Sequence, residues 1–268
     1  MAKGRLKKLM FVIMVSALAL PVVHIAVRVL FCDSFVVKGH SMEPVLYEGE
    51  RVYVNKLKMG ARIYLNYDFT NTSLSSFRLP GFSSLNVGDI VVANYPYSES
   101  EDTITFKINL VYVKRCYGAA GDTIRIVDGY YLNPRIGGRI GDLSYQNILS
   151  IMPDSVLLDS GVSFNAFRPD TTLKWTIRDF GPMYVPRKGD IVNIDSDNYR
   201  LWQRQVLYET GERFENRNGV IYLCDKPICN YTFKNNWYFL GGDNVLNSHD
   251  SRYFGLVPED YIVGIVIR

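Results

Sequence analysis

One serine stands in a turn-forming stretch that could present a nucleophile. Ser41 lies in the segment VVKGHSMEPVL at residues 36–46, between a histidine and a methionine. A serine in a glycine-containing turn is far more often a backbone hydrogen-bonding group than a catalyst. A catalytic role therefore requires a base elsewhere in the chain that takes the proton of its hydroxyl.

A lysine in an apolar strand is the first candidate for that base. We predict a strand from Thr103 to Arg115, in which every second residue from Ile104 to Tyr112 is large and apolar and Lys114 follows on the same face. Such surroundings remove water from an ammonium group, so the pKa of Lys114 should fall, and an amine that is neutral near about pH 7 to 8 is a usable general base. The alternative is that the strand ends at Lys114 and its amine reaches back to water.

Histidine offers a rival mechanism, because Ser-His-Asp is the commoner hydrolase arrangement. The chain has three histidines. His24 falls in a hydrophobic run and His40 would have to fold back onto its own neighbour, so neither fits the role. His249, which adjoins Asp250, remains the competitor.

Charge and residue spacing argue against several other kinds of site. The formal net charge is +3, and the four basic residues among the first eight leave the remainder close to neutral, whereas a nucleic-acid-binding body needs a basic face. Apart from the adjacent His249 and Asp250, no histidine and carboxylate stand at metal-ligand spacing. The GAAGD segment at residues 118–122 lacks the Lys-Ser/Thr ending of a phosphate loop. We expect no nucleic acid, metal or cofactor.

The N-terminal region predicts a membrane helix. Residues 9–27 contain no Asp, Glu, Lys or Arg, and as a helix they would span roughly the 30 Å hydrocarbon layer. The basic residues before this run favour a cytoplasmic N-terminus with the body of the protein outside. We predict a retained anchor over residues 9–30; a cleavable secretory signal, with Ala-Leu-Ala at residues 17–19, is the alternative.

The rest of the chain indicates a mainly β protein. Runs of β-branched and aromatic residues, separated by Gly, Asn, Asp and Pro, recur from residue 34 onward, and no long helical period appears outside the anchor. Residues 60–86 predict a loop or hairpin whose large side chains either rest in the lipid interface or cap the core. These side chains are Tyr64, Phe69, Phe77, Leu79 and Phe82.

Four cysteines are too few for a disulfide scaffold, but a location outside the membrane permits bridges. Cys224 and Cys229 flank the segment DKPI, whose Asp and Pro suit a tight turn. We predict a disulfide bridge between these two residues. Cys32 and Cys116 are expected to be unpaired packing residues.

Five segments, taken together, resemble the ordered motifs of bacterial type I signal peptidases, which are membrane-anchored Ser/Lys proteases. They are GHSMEPVL, GERVYVNKL, GDIVVANYP, YVKRCYGAAGDTIRI and GGDNVLNSHDSRYFGLVP. The resemblance covers residues 5–56, 87–126 and 237–268, and the last motif is highly specific.

The resemblance implies a role for each matched residue. Ser41 is the expected nucleophile, with its backbone N–H in the oxyanion hole, and Lys114 is the expected general base. Met42 should pack beneath the nucleophile, and Ser248 matches the position whose hydroxyl orients the lysine amine. Gly39, where some members carry a second oxyanion donor, suits a turn close to the substrate carbonyl, so the second donor stays open. The expected supporting charges are Arg115, Asp243, Asp250 and Arg252.

The sequence departs from the family pattern at two positions near the lysine. Ala120 stands where the family usually has a proline, and Cys116 stands where it has a hydrophobic residue. Neither lies on the proposed proton path, so we expect a more flexible turn and retained chemistry.

The fold implied by the resemblance is an N-terminal transmembrane helix followed by a β body of coiled antiparallel sheets with an inserted smaller β unit. Residues 1–8 would form a basic cytoplasmic tail and residues 9–30 the anchor. Residues 33–126 and 236–268 would form the catalytic β domain. Residues 127–235 would form the insert.

The implied function is that of a single-pass endopeptidase of the bacterial plasma membrane, active on the extracytoplasmic side, that removes signal peptides from translocated preproteins. Its partners would be preprotein signal peptides, with small residues such as Ala at the first and third positions before the cut, and the lipid bilayer. We expect a monomer, and contact with the secretion translocon stays open. An anchored but inert β module that binds an envelope partner is one alternative. Another is the cytoplasmic self-cleaving repressors, which share the chemistry and the β fold, although the membrane run argues against them.

Overall fold

The computed structural model describes residues 2–65, 75–97, 102–167 and 171–267. The helices in these ranges are α1 (Ala2–Leu30), α2 (Ser144–Ile151), α3 (Asp154–Asp159), α4 (Tyr199–Thr210) and α5 (Ser251–Phe254), with 3-10 turns at Thr171–Leu173 and Glu259–Tyr261. The strands of the N-terminal half are β1 (Cys32–Val36), β2 (Arg51–Asn55), β3 (Arg62–Tyr64), β4 (Ser76–Arg78), β5 (Ile90–Asn94), β6 (Val111–Gly118), β7 (Thr123–Val127), β8 (Tyr130–Asn133) and β9 (Gly138–Arg139). Those of the C-terminal half are β10 (Phe180–Tyr184), β11 (Ile191–Asn193), β12 (Glu215–Arg217), β13 (Val220–Leu223), β14 (Lys226–Ile228), β15 (Asn230–Thr232), β16 (Trp237–Gly241), β17 (Val257–Pro258) and β18 (Ile262–Ile267). The mainly β fold is confirmed.

Helix α1 has the length and composition of a membrane span. Its segment Lys7–Leu30 has a mean hydropathy of 2.4, and none of its most apolar stretch is buried against the rest of the protein. The helix runs almost directly into β1, and Arg28 near its end pairs with Asp33 at 2.8 Å. Lys56, just after β2, reaches back to donate to the Arg28 carbonyl at 2.7 Å. These contacts tie the end of the helix to the first two strands.

A seven-stranded antiparallel sheet forms the body that holds the matched motifs. Its strand order is β1-β2-β18-β5-β6-β16-β17, so the chain's last strand, β18, lies between β2 and β5. All five residues of β5 are buried, which is why a central strand such as this one has an almost entirely apolar sequence. The sheet places β5 and β6 next to each other, with Val91 opposite Lys114.

A second region packs against this sheet. Strands β10, β7, β8 and β9 form a four-stranded sheet, and smaller sheets pair β11 with β15 and β12 with β13 and β14. One large apolar core joins this region to the main sheet, since Tyr131 and Phe180 of the four-stranded sheet both pack on Phe239 of β16. The division of the chain into domains at residues 127 and 235 stays a prediction.

The sequence did not reveal the helices of this region. Helix α4 spans 12 residues and buries Trp202 and Val206 together with the polar Arg204 and Gln205. The expectation of no helical period outside the anchor is therefore wrong. The buried polar side chains on the inner face of α4 obscured its apolar stripe.

The strand predicted from Thr103 to Arg115 is shorter than expected, because β6 begins only at Val111. The preceding residues form a turn in which the Leu110 N–H donates to the Lys107 carbonyl at 3.2 Å. The side chain of Asn94 holds this turn by donating to the Lys107 carbonyl at 2.9 Å. The predicted apolar row before Lys114 is thus broken, although Tyr112 and Lys114 do share a strand.

The predicted Cys224–Cys229 bridge is wrong, since both cysteines are free and exposed. The hairpin turns on Cys224 and Asp225, both with left-handed backbone, and the rest of the DKPI segment forms β14. Cys229 therefore lies past the far end of β14, about 10 Å along the strand from the turn, whereas a disulfide needs Cα atoms within about 7 Å. Cys32 and Cys116 are also free, as expected.

Residues 60–86 contain the predicted hairpin, with β3 paired to β4. Phe77 and Phe82 are exposed, at 50% and 74% of their surface. Tyr64 instead stacks on Phe106 at 5.7 Å between ring centroids, so it belongs to the core. Phe69 lies outside the described residues.

Candidate active site

The turn that presents Ser41 is fixed from below by a buried methionine. Gly39 has a left-handed φ of +74°, which a glycine adopts without strain, and this bend carries the chain from β1 to Ser41. Met42, only 1% exposed, packs in a core with Val37 and Val92. A helical turn follows, in which the Leu46 N–H donates to the Met42 carbonyl at 2.9 Å. The buried Met42 and the helical turn after it therefore hold Ser41 in a fixed position.

Lys114 reaches this hydroxyl from β6. Its Nζ lies 2.6 Å from Ser41 Oγ, within hydrogen-bond distance. The side chain is only 5% exposed, and burial lowers the pKa of the amine to about 8 although the negative charge of Asp250 opposes this shift. The predicted fall in the Lys114 pKa is confirmed. A neutral amine at this position can accept the Ser41 proton and turn the hydroxyl into a nucleophile.

The loop after β16 holds the other side of the Ser41 turn. The backbone N–H of Asn244 donates to the Ser41 carbonyl at 3.1 Å, and its side-chain amide donates to the His40 carbonyl at 3.1 Å. Sequence reasoning missed Asn244 as a positioning residue, although it lies within the quoted GGDNVLNSHDSRYFGLVP motif. Its place next to Asp243 was the available signal.

Two buried ion pairs shape this loop. Arg115 donates from Nε and Nη2 to the two carboxylate oxygens of Asp243, each at 2.7 Å, and Tyr117 donates its hydroxyl to the same carboxylate at 3.0 Å. Arg252 pairs with Asp250 at 2.9 Å, and neither side chain has any exposed surface. Burial alone would raise the pKa of Asp250, but the adjacent Arg252 guanidinium holds it below its usual value. The four predicted supporting charges thus form two pairs around Ser41 and Lys114, which we call the dyad.

Arg252 links its pair to the backbone of the loop. Its guanidinium donates to the carbonyls of Val245 at 2.8 Å and Ser248 at 3.1 Å. Asp250 in turn accepts from the Gly242 N–H at 3.1 Å. One buried arginine and one buried aspartate therefore fix both ends of the segment that faces Ser41.

Ser248 lies beside the dyad without the hydrogen bond to Lys114 that the resemblance implies. The residue is 8% exposed, and its hydroxyl interacts instead with the Asp250 carboxylate, whose pKa it helps to lower. A Cβ added to Gly242 would lie 2.4 Å from both Ser248 Oγ and the Ser41 carbonyl, so the three residues are in close contact.

The histidines are engaged elsewhere. His40 Nδ1 lies 2.7 Å from a carboxylate oxygen of Glu43, and His249 Nδ1 lies 3.2 Å from the Tyr95 hydroxyl. His24 is within α1. The side chain that meets Ser41 Oγ is Lys114.

A groove of about 520 Å³ opens at the dyad. Residues 34–38 line one side and residues 108–114 the other, with Met42 and Val92 at its base. Among the described strands, β1 pairs only with β2, and residues 111–114 of β6 pair only with β5. Both walls therefore offer free strand edges to an extended peptide.

Known proteins match this chain over nearly its whole length. The family model for signal peptidases, peptidase S26, matches residues 6–136 and 180–268. Signal peptidase I of Buchnera aphidicola subsp. Baizongia pistaciae is 25% identical over 253 residues, which cover 90% of this chain and 70% of the relative. Signal peptidase I T of Bacillus subtilis is 28% identical over 240 residues, 89% of this chain and 73% of the relative. Signal peptidase I of Rickettsia bellii is 32% identical over 123 residues, 44% of this chain and 38% of the relative.

The family match includes every residue of the two ion pairs, the Ser41 turn and the β6 lysine. It leaves out residues 137–179, which hold α2 and α3. The chain belongs to the signal peptidase family S26, that of the type I signal peptidases.

Proposed function

We propose that this protein is a membrane-anchored serine endopeptidase that cleaves signal peptides from translocated preproteins with Ser41 and Lys114 as a catalytic dyad. The observation that carries the proposal is the 2.6 Å contact between Lys114 Nζ and Ser41 Oγ at a buried amine whose pKa is lowered to about 8. An inert binding module would gain nothing from burying an unpaired amine against a hydroxyl, because the desolvation destabilises the fold.

The proposed reaction begins with binding of the preprotein as an added strand along the free edges of β1 and β6. Neutral Lys114 takes the proton of Ser41 while Oγ attacks the scissile carbonyl carbon, and the resulting oxyanion accepts a hydrogen bond from the Ser41 N–H. That N–H makes no hydrogen bond among the described residues, so it is available. The Lys114 ammonium then gives its proton to the leaving amine, which frees the mature chain and leaves an acyl-enzyme.

Hydrolysis completes the cycle. Lys114, neutral again, takes a proton from water as the hydroxide attacks the ester carbonyl. The Lys114 ammonium then gives this proton to Ser41 Oγ as the signal peptide leaves, which restores the neutral amine and the hydroxyl. The two ion pairs act as positioning groups, since they fix the loop that holds the Ser41 turn. Small residues at the first and third positions before the cut are the specificity that membership of the family suggests.

Helix α1 is proposed as a retained anchor with its N-terminus in the cytoplasm and the β body on the extracytoplasmic face. Its apolar segment Lys7–Leu30 supports the anchor, and Arg5, Lys7 and Lys8 near its start support the orientation. The anchor would hold the groove near the bilayer, where the substrate's own hydrophobic segment delivers the cleavage site at high local concentration.

The test is cleavage of a preprotein by the full-length protein in detergent or lipid. Ser41→Ala and Lys114→Ala should each lower kcat/KM by about 10³-fold or more, because each removes one half of the proton path. Ser83→Ala and Lys188→Ala, at exposed positions away from the groove, are the matched controls and should cleave like the wild type. Retained cleavage in either dyad variant would refute the dyad, and absence of cleavage by the wild type would favour the inert module.

A further inference from the structure

A second cleft, of about 580 Å³, adjoins the active-site loop and shares no lining residue with the groove. We call it the insert cleft. Its walls are residues 160–163, which follow α3, and residues 246–249 of the active-site loop, with Met152 and Tyr253 completing the lining. The Tyr253 hydroxyl donates to the Ser163 carbonyl at 3.1 Å, so the two walls are joined at their base.

The insert cleft adjoins the Ser41 turn through Ser248. Ser248 lines it and is more than nine-tenths buried. The Ser248 hydroxyl and the Ser41 carbonyl both lie 2.4 Å from the position a Gly242 Cβ would take. A polypeptide that passes the nucleophile therefore comes within reach of the cleft.

Membrane geometry sets the direction of such a polypeptide. The groove at residues 34–38 and 108–114 is continuous with the end of α1, since Ser34 and Ile108 also line small cavities shared with residues 24–29 of the helix. The hydrophobic segment of a signal peptide precedes the cut and lies in the bilayer, so it must approach through the groove. Strand β16 pairs with β6 from Arg115 onward, just past the groove residues 111–114, so the loop after β16, which lines the insert cleft, stands at the Lys114 end of the groove. The residues after the cut thus leave on the side of the insert cleft.

The wall at residues 160–163 is a feature of this chain beyond its family match. Residues 137–179 are the internal segment that the family model leaves unmatched, and they supply Met152 and the 160–163 wall. The cleft is therefore built between the matched active-site loop and a segment that the family model does not match.

We propose that the insert cleft binds the first residues of the mature chain, immediately after the scissile bond, and makes cleavage depend on their side chains. This inference rests on the proposed function. No Asp, Glu, Lys or Arg lines the cleft; its surface combines the polar Ser160, Ser163 and Asn247 with the apolar Met152 and Val162. It therefore suits neutral side chains, and a charged residue entering it loses hydration without gaining an ion pair.

The first experiment measures kcat/KM of the full-length protein on two preproteins that differ only in the three residues after the cut, either neutral or all acidic. A third substrate ends one residue after the cut. We expect the neutral sequence to be cleaved at least about 10-fold faster than the acidic one, a difference of about 1.4 kcal/mol in transition-state stabilisation. Ser160→Trp, which fills the cleft from its exposed rim, should abolish this preference and leave the short substrate unaffected. Ser196→Trp, at an exposed site outside the cleft, is the matched control.

Equal effects of Ser160→Trp and Ser196→Trp on all three substrates would overturn the inference while leaving the proposed function intact. Cleavage of none of the substrates by the wild type would instead refute the proposed function itself and the inference with it.

A second measurement does not depend on the fold of the tryptophan variant. Ser41→Ala protein is photo-cross-linked to a preprotein that carries benzoylphenylalanine at the third residue after the cut. We expect the cross-link in residues 152–163 or 246–249, and a probe three residues before the cut should label residues 34–38 or 108–114 instead. Cross-linking of the first probe outside both walls would overturn the inference.

Discussion

Lys114 has to satisfy two opposed requirements. Burial at 5% exposure brings its pKa to about 8 and so makes the amine a usable base, but the same burial penalises the charged form that exists at neutral pH. No acidic side chain hydrogen-bonds its Nζ among the described residues; Asp250, the main opposing charge, is already paired with Arg252. Asp250 is therefore close enough to limit the fall in the Lys114 pKa, but its carboxylate is paired with Arg252 and does not form an ion pair with the amine.

The first prediction concerns the stability cost of this lysine. The pKa falls from 10.5 to about 8 on folding, so the protonated amine destabilises the fold fully below pH 8, and the penalty disappears as the pH rises to about 10.5. Lys114→Met should therefore raise the free energy of unfolding at pH 7 by up to about 3 kcal/mol, with the gain fading in that alkaline window. Thermal unfolding midpoints in detergent, at neutral and alkaline pH, measure this. A variant no more stable than the wild type at pH 7 would show that the amine is not desolvated.

At the scale of elements, the site forms where the turn after β1 packs against the loop after β16. Gly242 lies at their closest approach, and any side chain there would collide with the Ser41 carbonyl. The lysine comes from a third element, β6, whose register with β5 and β16 fixes the height of Lys114 along the sheet. The dyad distance therefore depends on backbone packing more than on the side chains alone.

The second prediction tests this contact between the two elements. Gly242→Ala should push the Ser41 turn away from the loop and lower kcat/KM by about 10²-fold, because a displacement of about 1 Å is enough to misalign the reacting atoms. Gly138→Ala, where an added Cβ meets no atom within 4 Å, is the control and should retain wild-type cleavage. If Gly242→Ala cleaves as fast as that control, the loop does not position the nucleophile.

The sequence predicted the elements whose patterns are local. Strands such as β5 and β18 are short apolar runs bounded by turn residues, and their β-branched composition was readable. The strand before Lys114 was overextended, since the alternation from Ile104 to Leu110 persists through a turn that Asn94 holds from a distant part of the chain. The turn between the two cysteines was predicted over all of DKPI because Asp and Pro are common turn residues, whereas it uses only Cys224 and Asp225, and Pro227 lies in β14.

The candidate site was predictable in its residues and not in its contacts. The resemblance named Ser41 and Lys114, and the apolar pattern alone suggested the fall in the lysine pKa. Asn244 and Tyr117 escaped notice because their roles depend on hydrogen bonds to residues far along the chain. The insert cleft could not be predicted from the sequence, since it forms between residues 160–163 and 246–249, which only the folded chain brings together.

At the scale of the whole molecule, the end of α1 and the mouth of the groove lie on one side of the body. Ser34 belongs to the strand that follows the helix and also lines the groove. A substrate whose hydrophobic segment lies parallel to α1 would reach the dyad without leaving the membrane surface. The insert cleft, in the role proposed above, would then give the released mature chain a path away from it.

The third prediction concerns the orientation of the molecule in the membrane. Cys224 and Cys229 are free and exposed, so they serve as native reporters of the β body. A membrane-impermeant maleimide added to cells with an opened outer envelope should label the wild type and fail to label Cys224→Ser/Cys229→Ser. A cysteine introduced by Gly4→Cys into that double variant should react only after the plasma membrane is permeabilised. The opposite pattern would place the body in the cytoplasm.

The most direct test of the dyad is the pH dependence of kcat/KM for preprotein cleavage, measured from about pH 6 to about pH 10 with the wild type, Lys114→Ala and His249→Ala. A neutral lysine base predicts that activity rises with pH through an apparent pKa of about 8, that His249→Ala keeps this limb, and that Lys114→Ala has no measurable cleavage. A limb centred near about 6.5 that disappears in His249→Ala, or cleavage that persists in Lys114→Ala, would contradict the assignment of Lys114 as the base of Ser41.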